Sequence, residues 1–163
     1  MIQLSGADGH VHQEIERKFL VRGNPWTGMT GTLIRQAYLM RDRDRILRIR
    51  QKGRRFFLTL KIGEGMSRFE YEQEVDDMEG EALLNLQALE PPLQKMRYLV
   101  PVGQHQWEID VFSADNAGLV MAEVELSHVD ETYVRPDWAA VEVTNDPRFQ
   151  NSYLAQNPFK TWG

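Results

Sequence analysis

Residues 14–21 read EIERKFLV, and the placing of their charges decides the fold. Side chains of an extended chain alternate sides, so Glu14, Glu16 and Lys18 share one face. Ile15, Phe19 and Val21 take the other. Two carboxylates and an ammonium side by side make either a wet outer surface or the wall of a space that holds something charged.

The same alternation recurs along the chain. Arg48 and Arg50 oppose Leu47 and Ile49, and Thr59 and Lys61 alternate with Leu58, Leu60 and Ile62. Glu70, Glu72 and Glu74 share a face, as do Lys95 and Arg97. Glu108 and Asp110 alternate with Trp107, Ile109 and Val111, and Glu123 and Glu125 with Val124 and Leu126. One antiparallel strand with a wet face is ordinary. Here the polar faces hold Arg, Lys, Glu and Asp almost exclusively, and each strand tends to one sign. Turned inward in a closed barrel, they make a polar tunnel.

The pattern predicts strands at 13–22, 33–40, 46–52, 55–62, 68–76, 95–102, 106–112 and 119–127, with hairpin glycines at Gly53, Gly63, Gly65 and Gly103. Short antiparallel strands of this kind build a sandwich or a barrel. MEGEALLNLQALE (78–90) predicts a helix with a stripe of Leu83, Leu86, Ala88 and Leu89, stopped by Pro91 and Pro92. A short helix or turn is expected near 113–118, and another short helix ends before Pro158. The chain reads as one domain, 1–163, with residues 1–12 as a flexible arm.

Composition narrows the function. The chain has 163 residues, 42% of them hydrophobic, and a net charge of −5, with a pI near 5.4. That acidic balance argues against a nucleic-acid partner. There is no cysteine, which removes disulfides, thiolate metal sites and cysteine nucleophiles. No apolar run reaches a membrane span, and the opening lacks the pattern of a secretory signal, so the expected location is cytoplasmic. The cations Lys18, Arg48, Arg50, Lys61, Lys95 and Arg97 suit a polyanion. The more numerous carboxylates repel a phosphate unless hard divalent cations bridge the two. Glu70 and Glu74 are expected to pair with arginines. His10 and His12 lie in the Gly-rich arm without convergent partners, and His105 and His128 flank turns, so all four are read as ordinary surface residues. Trp107, Trp138 and Trp162 are read as packing residues.

Glu14-x-Glu16-x-Lys18 resembles the signature of the CYTH superfamily, the triphosphate tunnel metalloenzymes. The resemblance continues in order through RQAYL (35–39), LRIRQK (47–52), LTLK (58–61), SRFEYEQEV (67–75), KMRY (95–98), WEIDVF (107–112), AEVEL (122–126) and EVTNDPRFQNSYLA (142–155). It implies an all-β-dominated fold, an eight-stranded antiparallel closed barrel forming a tunnel, with a few short helices packed outside. It implies a metal-dependent triphosphatase, most like the short bacterial enzymes that release the terminal phosphate of tripolyphosphate with Mg²⁺ or Mn²⁺. Adenylate cyclases and thiamine or nucleoside triphosphatases share the fold, and a non-catalytic polyphosphate- or nucleotide-binding module is the alternative of another class. By resemblance the metal ligands are Glu14, Glu16, Asp110, Glu123 and Glu125, and the phosphate-binding residues are Lys18, Arg48, Arg50, Lys61 and Arg97. Strand phase and the resemblance together make Tyr38 and Lys95 a water-orienting or proton-accepting pair. Phe149 stands where relatives often carry tyrosine. The apolar outer faces exceed what the helices cover, which makes a homodimer the expected assembly.

Overall fold

A computed structural model describes residues 9–86 and 88–163. Its strands are β1 (Gly9–Val21), β2 (Thr32–Arg41), β3 (Arg45–Lys52), β4 (Arg55–Ile62), β5 (Ser67–Val75), β6 (Leu93–Val102), β7 (His105–Phe112), β8 (Val120–Glu125) and β9 (Ala139–Glu142). Helix α1 (Asp77–Leu86) joins β5 to β6, and α2 (Asn151–Gln156) lies near the end. The eight expected strands are all present. The ninth has only four residues, too few to show a period. The expected turn at 113–118 is a single 3₁₀ turn, Ala114–Asn116.

The neighbours run β5-β4-β3-β2-β6-β7-β8-β1, and β5 also pairs with β1, so eight antiparallel strands close on themselves. The length of β1 makes this possible. Its residues 9–15 pair with β5 and residues 16–20 with β8. Ile15 shows both edges at once, lying opposite Ser67 of β5 while its carbonyl accepts a 2.7 Å bond from the Leu126 amide on the β8 side. Where β5 ends, β9 takes over the edge, with Phe19 opposite Glu142 and Val21 opposite Ala139. Residues 9–12 are therefore strand, paired to β5, where the sequence suggested an arm. The rest of that arm, 1–8, lies outside the described residues.

Closure sorts the faces. Ile15, Phe19, Trp107, Ile109, Ala122 and Val124 form an outer-wall core covered by Tyr133 and Trp138. Trp107 and Phe19 are fully buried there, 5.5 Å apart between ring centres. On the opposite wall α1 lays Leu84 over Ala37, Ile49 and Phe56. The helix starts at an Asp76 cap, whose carboxylate accepts from the Glu79 amide at 2.8 Å. It ends at Leu86 rather than reaching the prolines, and Leu89 is exposed. Leu84, which the helix buries fully, was not a member of the predicted stripe. Gly80 permits the approach, because a Cβ there would run into Phe56. Val11, Ile62 and Phe69 remain exposed on the outer wall.

A third cluster closes one end of the barrel from within. Leu93, Phe112 and Met121 pack with Leu119, Val143, Phe149 and Leu154. The tail around α2 thus plugs the end where β1 finishes. Among the described residues no helix is long and apolar enough to cross a membrane.

Candidate active site

Alternation and register together put the ionic rows inside. Tyr38 lies opposite Arg48 and Gln36 opposite Arg50 across β2–β3. Lys61 faces Glu70 across β4–β5, and Lys18 faces Glu123 across β1–β8. They enclose a cavity of 570 Å³. Of the expected site residues, Glu14, Glu16, Lys18, Tyr38, Arg48, Arg50, Lys61, Lys95, Arg97, Glu123 and Glu125 all line it. Asp110 does not.

Asp110 lies beneath the floor, 2% exposed. Its Oδ2 accepts from Lys95 Nζ at 2.7 Å and from Arg97 Nη2 at 2.9 Å, and its Oδ1 accepts from Arg97 Nε at 2.8 Å. Three of its roughly four acceptor sites are thus occupied by cations. Arg97 sits directly opposite Asp110 on β6–β7, so the aspartate, expected from the sequence as a metal ligand, pairs sideways with Arg97 in this structure. Burial raises the Asp110 carboxyl, and Arg97 and Lys95 outweigh it, holding the group below its ordinary value.

The cationic wall is incompletely neutralised. Among the described residues Arg48 and Arg50 form no ion pair. Arg48 is buried and its Nε has no hydrogen-bond partner. Arg50 donates from Nε to Gln36 Oε1 at 2.9 Å, and Gln36 Nε2 donates to the Tyr38 hydroxyl at 3.0 Å. Tyr38 is thereby left to donate its own proton into the cavity. Burial, then Arg48 and Arg97, pull Arg50 down to about 10. Buried charges without partners are costly, so this wall is built to be completed by an anion.

Lys95 is fully enclosed. Besides Asp110 it reaches Asn151 Oδ1 at 2.9 Å, from the C-terminal plug. Burial lowers it to about 7, with Asp110 opposing and Arg97 and Arg50 adding to the fall. Tyr38 and Lys95 both line the cavity, but no hydrogen bond joins them among the described residues. Lys18 is held from the same plug, donating to the Phe149 carbonyl at 3.0 Å, and stands 3.5 Å from Glu123. The backbone oxygen at 149 performs this contact, so phenylalanine serves there as well as tyrosine.

The acidic wall is crowded. Glu16 lies directly opposite Glu125, and Glu108 opposite Glu123. Like charges directly across a ladder are destabilising. Burial, then Glu123 and Glu14, push Glu16 up to about 8. Glu14 goes the other way: burial raises it, but Lys61 and Arg68 prevail and hold it at about 2. Lys61 binds Glu14 at 2.9 and 3.2 Å and stands 3.3 Å from Glu70. Glu70 thus pairs with a lysine, whereas Glu74 binds Arg55 on the exposed outer rim. Among the described residues no three acidic or imidazole groups surround one point closely enough to coordinate an ion. The donor set nonetheless fits one. Glu14, Glu16, Glu123 and Glu125 offer only oxygen from two adjacent strands, as a hard divalent cation requires, and such an ion would relieve the repulsion at Glu16.

Four lining or supporting residues escaped the sequence. Arg68 shares the period-two phase of Glu70 and Glu72, and that phase was the available signal. Its Nη2 stands 3.5 Å from Glu16 and 3.8 Å from Glu14. His12 lines the open end, 3.8 Å from Glu70. His105 lines the cavity too, bound to Glu131 at 2.5 Å, rather than facing solvent. Asn151 carried no signal, because only the fold brings the tail to Lys95.

An antiparallel barrel with most of its apolar side chains outside, an apolar plug at one end and opposed acidic and basic walls within is a charged-tunnel protein. The particular family follows from comparison: the CYTH domain family model matches residues 12–150, and the chain belongs to that family. Membership implies dependence on a metal ion. The chain is similar to an inorganic triphosphatase of Acetivibrio thermocellus, 39% identical over 152 residues that cover 92% of this chain and 97% of the relative. It is also similar to an inorganic triphosphatase of Nitrosomonas europaea, 40% identical over 148 residues that cover 87% of this chain and 96% of the relative. A solved inorganic triphosphatase structure superposes with a TM-score of 0.65 at 34% identity, covering 87% of this chain and 93% of that one.

Proposed function

We propose that this chain is an inorganic triphosphatase, which hydrolyses tripolyphosphate to pyrophosphate and orthophosphate inside the tunnel. The observation that carries the reading is the pair of buried Arg48 and partly buried Arg50, without an ion-pair partner among the described residues, facing a crowded carboxylate wall across one cavity. An elongated polyanion neutralises the first, and a divalent cation travelling with it neutralises the second. Similarity to two inorganic triphosphatases over 92% and 87% of the chain supports the same substrate.

Glu14, Glu16, Glu123 and Glu125 would hold the metal, Mg²⁺ or Mn²⁺, which when bound supplies charge neutralisation at the phosphoryl oxygens. Arg48, Arg50, Lys18, Lys61 and Arg97 bind the phosphate chain and offset charge on the transferring and leaving oxygens. Water attacks the terminal phosphorus, the bond to the bridging oxygen breaks, and pyrophosphate leaves. The water's proton passes to Lys95, whose burial lowers its amine to about 7 and so toward the range where it can accept one. Tyr38, its hydroxyl occupied by Gln36 as an acceptor, donates to a phosphate oxygen and orients the chain. Asp110 and Asn151 fix Lys95 from behind.

Phosphate release from tripolyphosphate, ATP and thiamine triphosphate, each with Mg²⁺, Mn²⁺ or EDTA, tests this. Tripolyphosphate is the preferred substrate, and EDTA abolishes turnover. Cyclic AMP formed from ATP, or tight tripolyphosphate binding without hydrolysis under either metal, overturns it.

A further inference from the structure

Glu14 and Glu16 face each other's repulsion at the same strand edge, yet they are not bare. Arg68 lies opposite Glu14 in the β1–β5 register. Its Nη2 sits between the two carboxylates, 3.8 Å from one and 3.5 Å from the other. These separations exceed the roughly 2.7–2.9 Å of a formed charge-assisted bond. Among the described residues the Arg68 guanidinium makes no hydrogen bond. Lys61 differs, since it binds Glu14 at 2.9 Å and stays committed. The loosely held cation between two acids stands where a bridging divalent ion would bring its charge.

We propose that Arg68 is an internal counter-cation that substitutes for the metal between Glu14 and Glu16, yields them when the metal binds, and then grips the phosphate chain. The inference rests on the reading of Glu14 and Glu16 as metal ligands. Its chemistry follows from what is in place. The guanidinium is planar and matches phosphate oxygens two at a time. It lines the cavity, with 11% of its side chain exposed, so it can turn toward the substrate without leaving the tunnel. Free metal and Arg68 compete for the same carboxylates, whereas metal-bound substrate welcomes the released arginine. The substrate-free protein therefore binds metal weakly, and metal and triphosphate bind with positive coupling. By linkage that coupling is the same in either direction.

The test separates the two halves. Mn²⁺ binding to the substrate-free protein is read by electron paramagnetic resonance, and the KM for tripolyphosphate is read at saturating metal. In R68Q the Mn²⁺ affinity rises and the KM rises, each by about fivefold or more, the lower end of typical coupling. R68K keeps the charge but loses the fork, so Mn²⁺ affinity stays near wild type while KM still rises. A purely structural role moves both affinities the same way, and unchanged or weaker Mn²⁺ binding in R68Q overturns the proposal. So does an unchanged KM. A reading that needs no folded variant is the Arg68 guanidinium resonance of ¹⁵N-labelled wild type. It shifts on adding Mg²⁺ without substrate, and a static resonance is contrary. If the wild-type protein ignored tripolyphosphate, the proposed activity would fall, while the Mn²⁺ and resonance measurements would still judge Arg68.

Discussion

Replacing Asp110 by asparagine distinguishes a buried brace from a metal ligand. The carboxylate is 2% exposed and accepts three bonds of 2.7 to 2.9 Å from Lys95 and Arg97. Asparagine keeps the shape but removes the charge, leaving two buried cations short of a counter-ion. Breaking one partner out of a buried ionic group costs about 3–5 kcal/mol. Arg97 keeps Glu108, 2.6 Å from its Nη1, which softens the loss toward the lower figure. For a domain of this size one kcal/mol moves the midpoint by about 2–4 °C, so D110N should unfold about 6–12 °C earlier. The assay is thermal unfolding by circular dichroism in metal-free buffer, with and without added sulfate. Sulfate should restore more stability to D110N than to wild type, because the anion supplies the missing charge. Mn²⁺ affinity should survive. A midpoint within about 2 °C of wild type, together with lost Mn²⁺ binding, would refute the reasoning and return Asp110 to the ligand set.

Other outcomes follow from the same geometry. R48Q removes a buried guanidinium whose Nε lacks a partner; it should leave the metal-free protein as stable or more so in thermal melts, while kcat/KM for tripolyphosphate falls by about 100-fold, the scale of one lost charge-stabilising group. Burial, Glu123 and Glu14 raise metal-free Glu16 from 4.5 to about 8, so between these values the native state binds protons there more readily than the unfolded chain. Its stabilising contribution is complete below about pH 4.5 and is lost as pH rises to about 8, by a few kcal/mol at most. In metal-free denaturant titrations E16Q should flatten that decline, and an unchanged slope would contradict the crowding. G80A should destabilise by about 1–3 kcal/mol through collision with Phe56, despite the helix-propensity gain of about 1 kcal/mol; a stabilised variant in urea unfolding would show that α1 can shift.

Period-two charge placement determined much by itself. It marked the tunnel face of seven of the eight barrel strands, all but β2, because alternation is a local property of extended chain and needs no partner. It correctly put Lys18, Arg48, Arg50, Lys61 and Arg97 on one surface with Glu14, Glu16, Glu123 and Glu125. The tertiary structure decided what each charge meets. Asp110 and Glu123 look alike in sequence, two acids alternating with apolar residues. Register places Arg97 across from one and Lys18 across from the other, so one becomes a buried brace and the other faces the cavity. Closure drew His12 into the wall by pairing residues 9–12 with β5, and folding of the tail brought Asn151 to Lys95 across 56 positions of sequence. Local pattern fixes direction; only long-range pairing fixes neighbours, and the chemistry of an ionic site belongs to the neighbours.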